Sequence, residues 1–149
     1  MKTLRFALLA LLLLGTRAAV AADTTPTIEV WKSRTCGCCT AWIRHVEAAG
    51  FTVKVNDLYD MEPVKSRFKV PPELSSCHTA EVAGYVIEGH VPADDIIRLL
   101  KQKPAVTGIY VAGMPIGSPG MEGPNAEIYE VVAVDANGKR TVFATHGPK

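Results

Sequence analysis

The chain has 149 residues, of which 48% are hydrophobic and 21% are charged. This length allows one compact domain but not two of ordinary size, and the composition is typical of a globular protein rather than a disordered one. With 16 basic and 15 acidic residues the net charge is +1, which argues against a strongly basic nucleic-acid-binding surface.

The N-terminal segment, residues 1–22, has the pattern of a secretory signal peptide. Lys2 and Arg5 precede an apolar run that is about half the length a membrane span requires, and small residues follow it. An uncleaved membrane anchor is the alternative. Cleavage would remove Lys2, Arg5 and Arg17 but no acid, which leaves 13 basic and 15 acidic residues in a mature domain over residues 23–149. We therefore expect a periplasmic protein, without a membrane span in its mature part, in a compartment that permits disulfides.

The first half of the mature chain predicts a βαβ unit. Residues 27–32 alternate apolar and polar side chains, as a half-buried strand does. Apolar residues then recur at helical spacing over residues 41–49, and Gly50 ends that helix. Residues 51–56 alternate again, which indicates a second strand.

The second half predicts more strands, one further helix and a hairpin. The elements in chain order are a weak helix over residues 61–69, a loop over 75–79, a strand over 84–88, a helix over 93–101, a short strand over 108–112, a methionine-containing loop over 113–124, and a hairpin formed by 128–134 and 141–144. Asn137-Gly138 is a strong signal for a two-residue hairpin turn. The pattern favours a single α/β domain with a mixed sheet, flanking helices and a C-terminal β-hairpin.

Three of the four cysteines, Cys36, Cys38 and Cys39, lie between the first strand and the first helix. A helix N-terminus stabilises thiolate, which is both a nucleophile and a ligand for soft metals. Cys36 and Cys39 have the spacing of a thiol–disulfide oxidoreductase, but Cys38 is one thiol more than a dithiol switch needs. Soft sulfur ligands favour Cu(I), although they also bind zinc or an iron–sulfur cluster. The alternative is a pair of structural disulfides, in which Cys77 joins one cysteine of the cluster.

Further candidate ligands follow in three loops. Cys77 is next to His78, His90 stands before a predicted helix, and Met114 and Met121 share a loop rich in glycine and proline. His78 and His90 are alternative ligands, and His90 also suits a helix cap. We expect His45 to be solvated on the helix surface and His146 to lie in a frayed tail. The sequence holds no nucleophile elbow or phosphate loop, so hydrolase and nucleotide-binding functions have no support.

The order of these motifs resembles one known family. The motifs are Cys36-Gly37-Cys38-Cys39 followed by Trp42, Cys77-His78-Thr79-Ala80, Gly84 to Ala93 with Asp95-Ile96, and Gly113 to Glu122. They are similar to those of DUF411, a family of exported bacterial metal-binding proteins that includes copper-resistance proteins of the CopG type. The resemblance spans about residues 28–146. It implies a thioredoxin-like fold with added strands, and a copper role in the periplasm beside efflux pumps and multicopper oxidases.

The leading hypothesis is a periplasmic protein of copper resistance or homeostasis that binds Cu(I) at a site that is mononuclear or multinuclear. The expected metal ligands are Cys36, Cys38, Cys39, Cys77, His90 (or His78), Met114 and Met121. Thiol chemistry at Cys36 and Cys39 would then be linked to the oxidation state of copper. The alternatives are a thiol–disulfide oxidoreductase that acts on a protein partner and a passive copper chaperone. Silver and zinc stay open as competing metals.

Overall fold

The computed structural model describes residues 26–148, so the predicted signal peptide lies outside the described residues. This part of the chain forms a mixed α/β structure with one seven-stranded sheet, in the order β2-β1-β3-β4-β5-β6-β7. The strands are β1 (Ile28–Ser33), β2 (Val53–Leu58), β3 (His78–Val82), β4 (Tyr85–Glu88), β5 (Gly108–Tyr110), β6 (Tyr129–Val134) and β7 (Arg140–His146). The α-helices are α1 (Gly37–Ala48), α2 (Glu62–Arg67) and α3 (Ala93–Gln102), and a 3₁₀ turn covers Pro72–Leu74. Within residues 26–148, none of the helices combines the length and hydrophobicity needed to cross a membrane.

The predicted βαβ unit is confirmed. Strands β1 and β2 are parallel, with Val30 paired to Val55, and α1 connects them. Gly50, with φ of +95°, follows the end of α1 and takes the left-handed backbone that favours glycine. The α/β class predicted from the sequence is also confirmed, and most neighbouring strand pairs in the sheet are antiparallel.

The loop predicted over residues 75–79 is wrong at its C-terminal end, because β3 begins there, at His78. This strand lies near the middle of the sheet and pairs antiparallel with both β1 and β4. Its residues His78, Thr79 and Ala80 are all buried, so the strand lacks the alternation of apolar and polar side chains that reveals a half-buried strand.

Helices α1 and α3 cover one face of the sheet and enclose the main core. Trp42 of α1 is fully buried and donates its indole N–H to the carbonyl oxygen of Val91, at 2.8 Å. Leu99 of α3 and Ile87 of β4 belong to the same cluster. The neighbouring β4 residue, Val86, points to the opposite face, where it belongs to a smaller cluster with Leu74 of the 3₁₀ turn.

The C-terminal hairpin is formed by β6 and β7, but its turn differs from the prediction. The amide of Gly138 donates to the carbonyl of Asp135, and the amide of Asp135 donates to the carbonyl of Lys139, both at 3.0 Å. The loop therefore has three residues and not two. Gly138, with φ of +79°, occupies the left-handed position that closes such a loop.

Candidate metal centre

The cysteine cluster lies at the start of α1, directly after the first strand. Cys36 caps the helix from an extended backbone conformation, and its sulfur accepts the amide N–H of Cys39 at 3.2 Å. The unpaired amides and the dipole of a helix N-terminus favour negative charge on sulfur. The local fold therefore places the cysteines where thiolate is stabilised.

The four cysteines are in two chemical states. Cys36 and Cys39 form a disulfide, with Cα atoms 5.4 Å apart. Cys38 and Cys77 are free thiols. The sulfur of Cys38 lies 3.3 Å from that of Cys36 and 3.9 Å from that of Cys77. The alternative in which Cys77 forms a structural disulfide is therefore not what the structure contains.

Cys77 is also in contact with both histidines that the sequence left open. Its sulfur lies 3.0 Å from Nε2 of His90 and 3.4 Å from Nδ1 of His78. Nδ1 of His90 donates to the carbonyl oxygen of Pro119 at 2.8 Å, which leaves Nε2 with a lone pair facing the sulfur. Histidines that ligate metals are oriented in this way by a hydrogen bond to the second ring nitrogen.

Burial sets the charge of these groups. It lowers the pKa of His90, and it lowers the pKa of His78 well below its usual value, with repulsion from His90 adding to the effect. Both rings are therefore neutral near pH 7 and have a nitrogen available as a ligand. Burial, reinforced by the neighbouring Cys38, raises the pKa of the Cys77 thiol to about 12. A thiolate at Cys77 thus needs a nearby cation, such as a metal ion, to compensate its charge.

His78 lies deepest in the site. Its side chain is fully buried against the Trp42 ring, at a centroid distance of 4.4 Å. Its Nε2 atom has no hydrogen-bond partner among residues 26–148. A buried ring nitrogen without a partner is costly in an apolar interior, and a metal ion is one partner that an imidazole nitrogen accepts. His78 therefore has the chemistry of a metal ligand, as His90 does.

The methionine loop, residues 113–124, brings one of its two methionines to the cysteines. The thioether sulfur of Met114 is 3.9 Å from the sulfur of Cys38, and its side chain is 50% exposed. Met121 is bound through its backbone, since its amide donates to Ser118 and its carbonyl accepts from Gly117, each at 2.8 Å. No described contact joins its thioether to a cysteine.

Gly120 seats this loop on α1. Its φ is +85°, and a Cβ atom at this position would lie 2.7 Å from the carbonyl oxygen of Cys38 and 2.8 Å from the amide nitrogen of Trp42. Only glycine allows the two backbones to approach so closely. The contact holds the loop, with Met114 and the Pro119 carbonyl, against the cysteine-bearing turn.

The two remaining histidines are structural, and both predictions about them are wrong. His45 is half-buried rather than solvated, and its Nε2 accepts the amide N–H of Ala93 at 3.0 Å, so it caps α3 from the neighbouring helix. His146 belongs to β7 rather than to a frayed tail. Its Nε2 lies 2.6 Å from Oδ2 of Asp95, and its ring stacks on Tyr129.

The sequence reasoning missed a buried charged group beside the site. Glu88 ends β4 with its side chain completely buried, and its carboxylate contacts Lys65, Ser76 and Thr79. The signal available in the sequence was a single acid directly after the apolar run of β4 and two residues before His90. A carboxylate in that position is rarely buried without a specific partner.

The donors form two overlapping groups. One consists of Cys36, Cys38, Cys39 and Cys77, and the other of Cys77, His78 and His90; within each group the ligand atoms lie within 4.8 Å of one another. Cys77 belongs to both. Thiolates, imidazoles and a thioether suit a soft or borderline metal ion, a class that includes copper and zinc.

Comparisons with known proteins agree with this chemistry. The family described as "Protein of unknown function, DUF411" matches residues 74–121. Two solved structures of a copper resistance protein CopG, in form 2 and form 1, are similar to the chain at 43% and 42% identity, each with a TM-score of 0.78. The alignments cover 82% and 83% of this chain and 98% and 99% of the CopG chains. A search of curated proteins gives no match. The chain belongs to the DUF411 family, together with these CopG proteins.

Proposed function

We propose that the chain binds copper as Cu(I) and acts in copper resistance or homeostasis. The observation that carries the proposal is the overlap of the all-cysteine group and the Cys77, His78 and His90 group at one shared thiol. A shared thiolate can bridge metal ions, so this overlap favours more than one copper ion. In this proposal Met114 completes the set at its exposed side, while Met121 has weaker support because its thioether makes no described contact with the cysteines.

We also propose a periplasmic location and a thioredoxin-like domain over residues 23–149. The signal-peptide pattern of residues 1–22 and the Cys36–Cys39 disulfide support an oxidising compartment outside the cytoplasm. The order β2-β1-β3-β4, with α1 between β1 and β2 and α3 after β4, supports a thioredoxin-like core. Strands β5 to β7 are then additions to that core. Periplasmic efflux or oxidase components are the partners that this location suggests.

The Cys36–Cys39 pair links copper binding to redox state. A disulfide offers no thiolate, whereas its reduction by two electrons gives two thiolates that bind Cu(I). In the oxidising direction, two Cu(II) ions would each take one electron from the two thiolates, which gives two Cu(I) ions and the Cys36–Cys39 disulfide. The pairing of Cys36 and Cys39 in the structure supports them as the reactive pair of a copper and thiol oxidoreductase.

The test is an anaerobic Cu(I) titration against a competing chelator, with the protein fully reduced and with the disulfide formed. We expect the reduced protein to retain at least one copper ion and the disulfide form to bind at least about tenfold more weakly. The matched control is Cys36→Ser/Cys39→Ser, which in its reduced state should bind Cu(I) about as weakly as the disulfide form of the wild type. Loss of all copper from the reduced protein to a moderate chelator would end the proposal. Absorption at the copper X-ray edge then gives the fraction of sulfur ligands.

A thiol–disulfide oxidoreductase that acts on proteins is the second candidate. It is favoured by the free thiol of Cys38, which lies 3.3 Å from the sulfur of Cys36 in the disulfide. A Cys39→Ser variant should then trap a mixed disulfide with a partner, and the reduced protein should reduce insulin. A passive chaperone differs in that it would bind copper without any measurable cycling between Cu(II) and Cu(I).

A further inference from the structure

Glu88 is the buried carboxylate nearest to the candidate metal centre. Its Oε1 atom accepts the amide N–H of Ser76 at 2.7 Å and an N–H of Lys65 at 2.5 Å. Its Oε2 atom accepts the hydroxyl of Thr79, also at 2.7 Å. Strand β4, helix α2 and the segment before β3 therefore meet at one side chain that is fully removed from solvent.

A contribution to the stability of the fold does not by itself explain why the Glu88 carboxylate is buried. Burial raises the pKa of Glu88, although the Lys65 ammonium acts in the opposite direction. The desolvation of both charges offsets much of the free energy that their attraction contributes. Well-packed apolar residues of similar volume often give the fold the same stability. What the carboxylate provides that an apolar side chain does not is a fixed acceptor for the Ser76 amide.

Ser76 connects this acceptor to two candidate ligands. Cys77 follows it directly in the chain. The Ser76 hydroxyl donates to the carbonyl oxygen of Gly113, and the Gly113 amide donates to the carbonyl oxygen of Ser75 at 3.1 Å. Met114 follows Gly113, so the position of Ser76 influences the positions of both the Cys77 sulfur and the Met114 thioether.

The third segment with a candidate ligand consists of Gly89 and His90, which follow Glu88 directly in the chain. Gly89, with φ of +71°, donates its amide N–H to the carbonyl oxygen of His78 at 3.1 Å. A Cβ on Gly89 would lie 2.6 Å from the Cβ of Ser76 and closer still to the carbonyl oxygen of Val111. His90 comes next in the chain, so its backbone is anchored one residue away from the same carboxylate.

We propose that Glu88 is a positioning residue of the metal centre. Its carboxylate holds the Ser76 amide in place. Through Ser76 it positions the sulfur atoms of Cys77 and Met114 relative to His90 and to the cysteines at the start of α1. The inference rests on the proposed function insofar as the positioned groups are metal ligands. The positioning itself is present in the metal-free protein and can be measured there.

The experiment is alkylation of the reduced, metal-free full chain by iodoacetamide, with each cysteine quantified separately by peptide mass spectrometry. In Glu88→Ala we expect the ratio of the Cys77 alkylation rate to the Cys36 alkylation rate to rise about tenfold. The reason is that the segment with Ser76 and Cys77 opens locally once its backbone acceptor is lost. Glu88→Gln keeps an oxygen that can accept the Ser76 amide, and it should keep the ratio within about threefold of the wild type. Glu88→Asp keeps the charge but retracts it from Ser76, so it should raise the ratio and serves if the alanine variant does not fold.

The control is Asp95→Asn, which alters another buried carboxylate, one that is bound to Arg98 and His146. It should leave the ratio unchanged. Cu(I) affinity should fall about tenfold to a hundredfold in Glu88→Ala, as it does when the residues that orient metal ligands are lost. An unchanged ratio in folded Glu88→Ala and Glu88→Asp overturns the inference, and so does an equal acceleration at all four cysteines. If the wild type binds no Cu(I) while the ratio still rises in Glu88→Ala, the copper proposal fails and the positioning of Cys77 stands.

Discussion

Replacing Gly120 with alanine tests whether the methionine loop is held on α1 by close backbone contact. The new Cβ would lie 2.7 Å from the carbonyl oxygen of Cys38 and 2.8 Å from the amide nitrogen of Trp42. Both atoms are helix backbone and cannot move aside without breaking hydrogen bonds of α1. The loop must therefore either stay strained or lift away from the helix.

The two costs set the expected magnitude. A residue with a side chain in the left-handed backbone region loses about 1–2 kcal/mol. Overpacking against fixed atoms adds about 1–3 kcal/mol. Movement of the loop away from the helix limits this cost, but it breaks the hydrogen bond from His90 to Pro119, which contributes about 1 kcal/mol. We expect Gly120→Ala to lower the free energy of unfolding by about 2–3 kcal/mol.

The assay is urea unfolding of the reduced, metal-free protein, in which this loss should lower the midpoint by about 1 M. Gly123→Ala is the matched control, because Gly123 is exposed, has no positive φ, and its new Cβ would meet only the Ile116 side chain at 3.5 Å. It should change stability by less than about 0.5 kcal/mol. Cu(I) affinity should fall about tenfold in Gly120→Ala alone. Equal midpoints for the two variants would refute the reasoning.

Three further predictions concern separate parts of the molecule. Met114→Leu should weaken Cu(I) binding about tenfold in a competition titration, whereas Met121→Leu should change it less than about twofold, and the reverse order would contradict the assignment. Burial lowers the pKa of His45, so its contribution to stability is present above the ordinary histidine pKa of about 6.5 and is lost as pH falls through the lowered value. The loss of stability between pH 7 and pH 5 should therefore be smaller in His45→Gln than in the wild type, and equal losses would argue against this. Asp95→Asn should lower the free energy of unfolding by about 1–3 kcal/mol in a denaturation experiment and leave the Cu(I) affinity unchanged. A change in affinity would show that the contacts of Asp95 on α3 influence the metal centre.

The sequence predicted the elements whose apolar residues recur at a regular spacing or form a short apolar run. Strand β1 begins with the alternating residues Ile28, Glu29 and Val30, and helix α1 buries Trp42, Ile43 and Val46 at helical spacing. Strand β3 escaped prediction because it is buried on both faces and begins at His78 with polar side chains. Thr79 is acceptable inside the sheet because the carboxylate of Glu88 on the neighbouring strand accepts its hydroxyl.

The candidate site was predicted in its residue types but not in its arrangement. Cys38, Cys77 and Met114 could be selected as soft donors from the sequence, and the structure brings their sulfur atoms to 3.9 Å or less from a neighbouring sulfur. Met121 has the same chemistry and lies in the same loop as Met114, but its thioether makes no described contact with the cysteines. The choice between the two methionines depends on how the loop bends, which local sequence does not fix.

The sequence by itself determined the chemistry of this protein: an α/β chain with three crowded cysteines and a fourth beside a histidine. Those properties follow from composition and local spacing, which each segment carries on its own. Only the tertiary structure decided that Cys77 is shared by two ligand groups, that His45 is a helix cap, and that Glu88 holds the Cys77 segment. Each of these depends on contacts between residues distant in the chain, and such contacts exist only once the sheet and helices have packed.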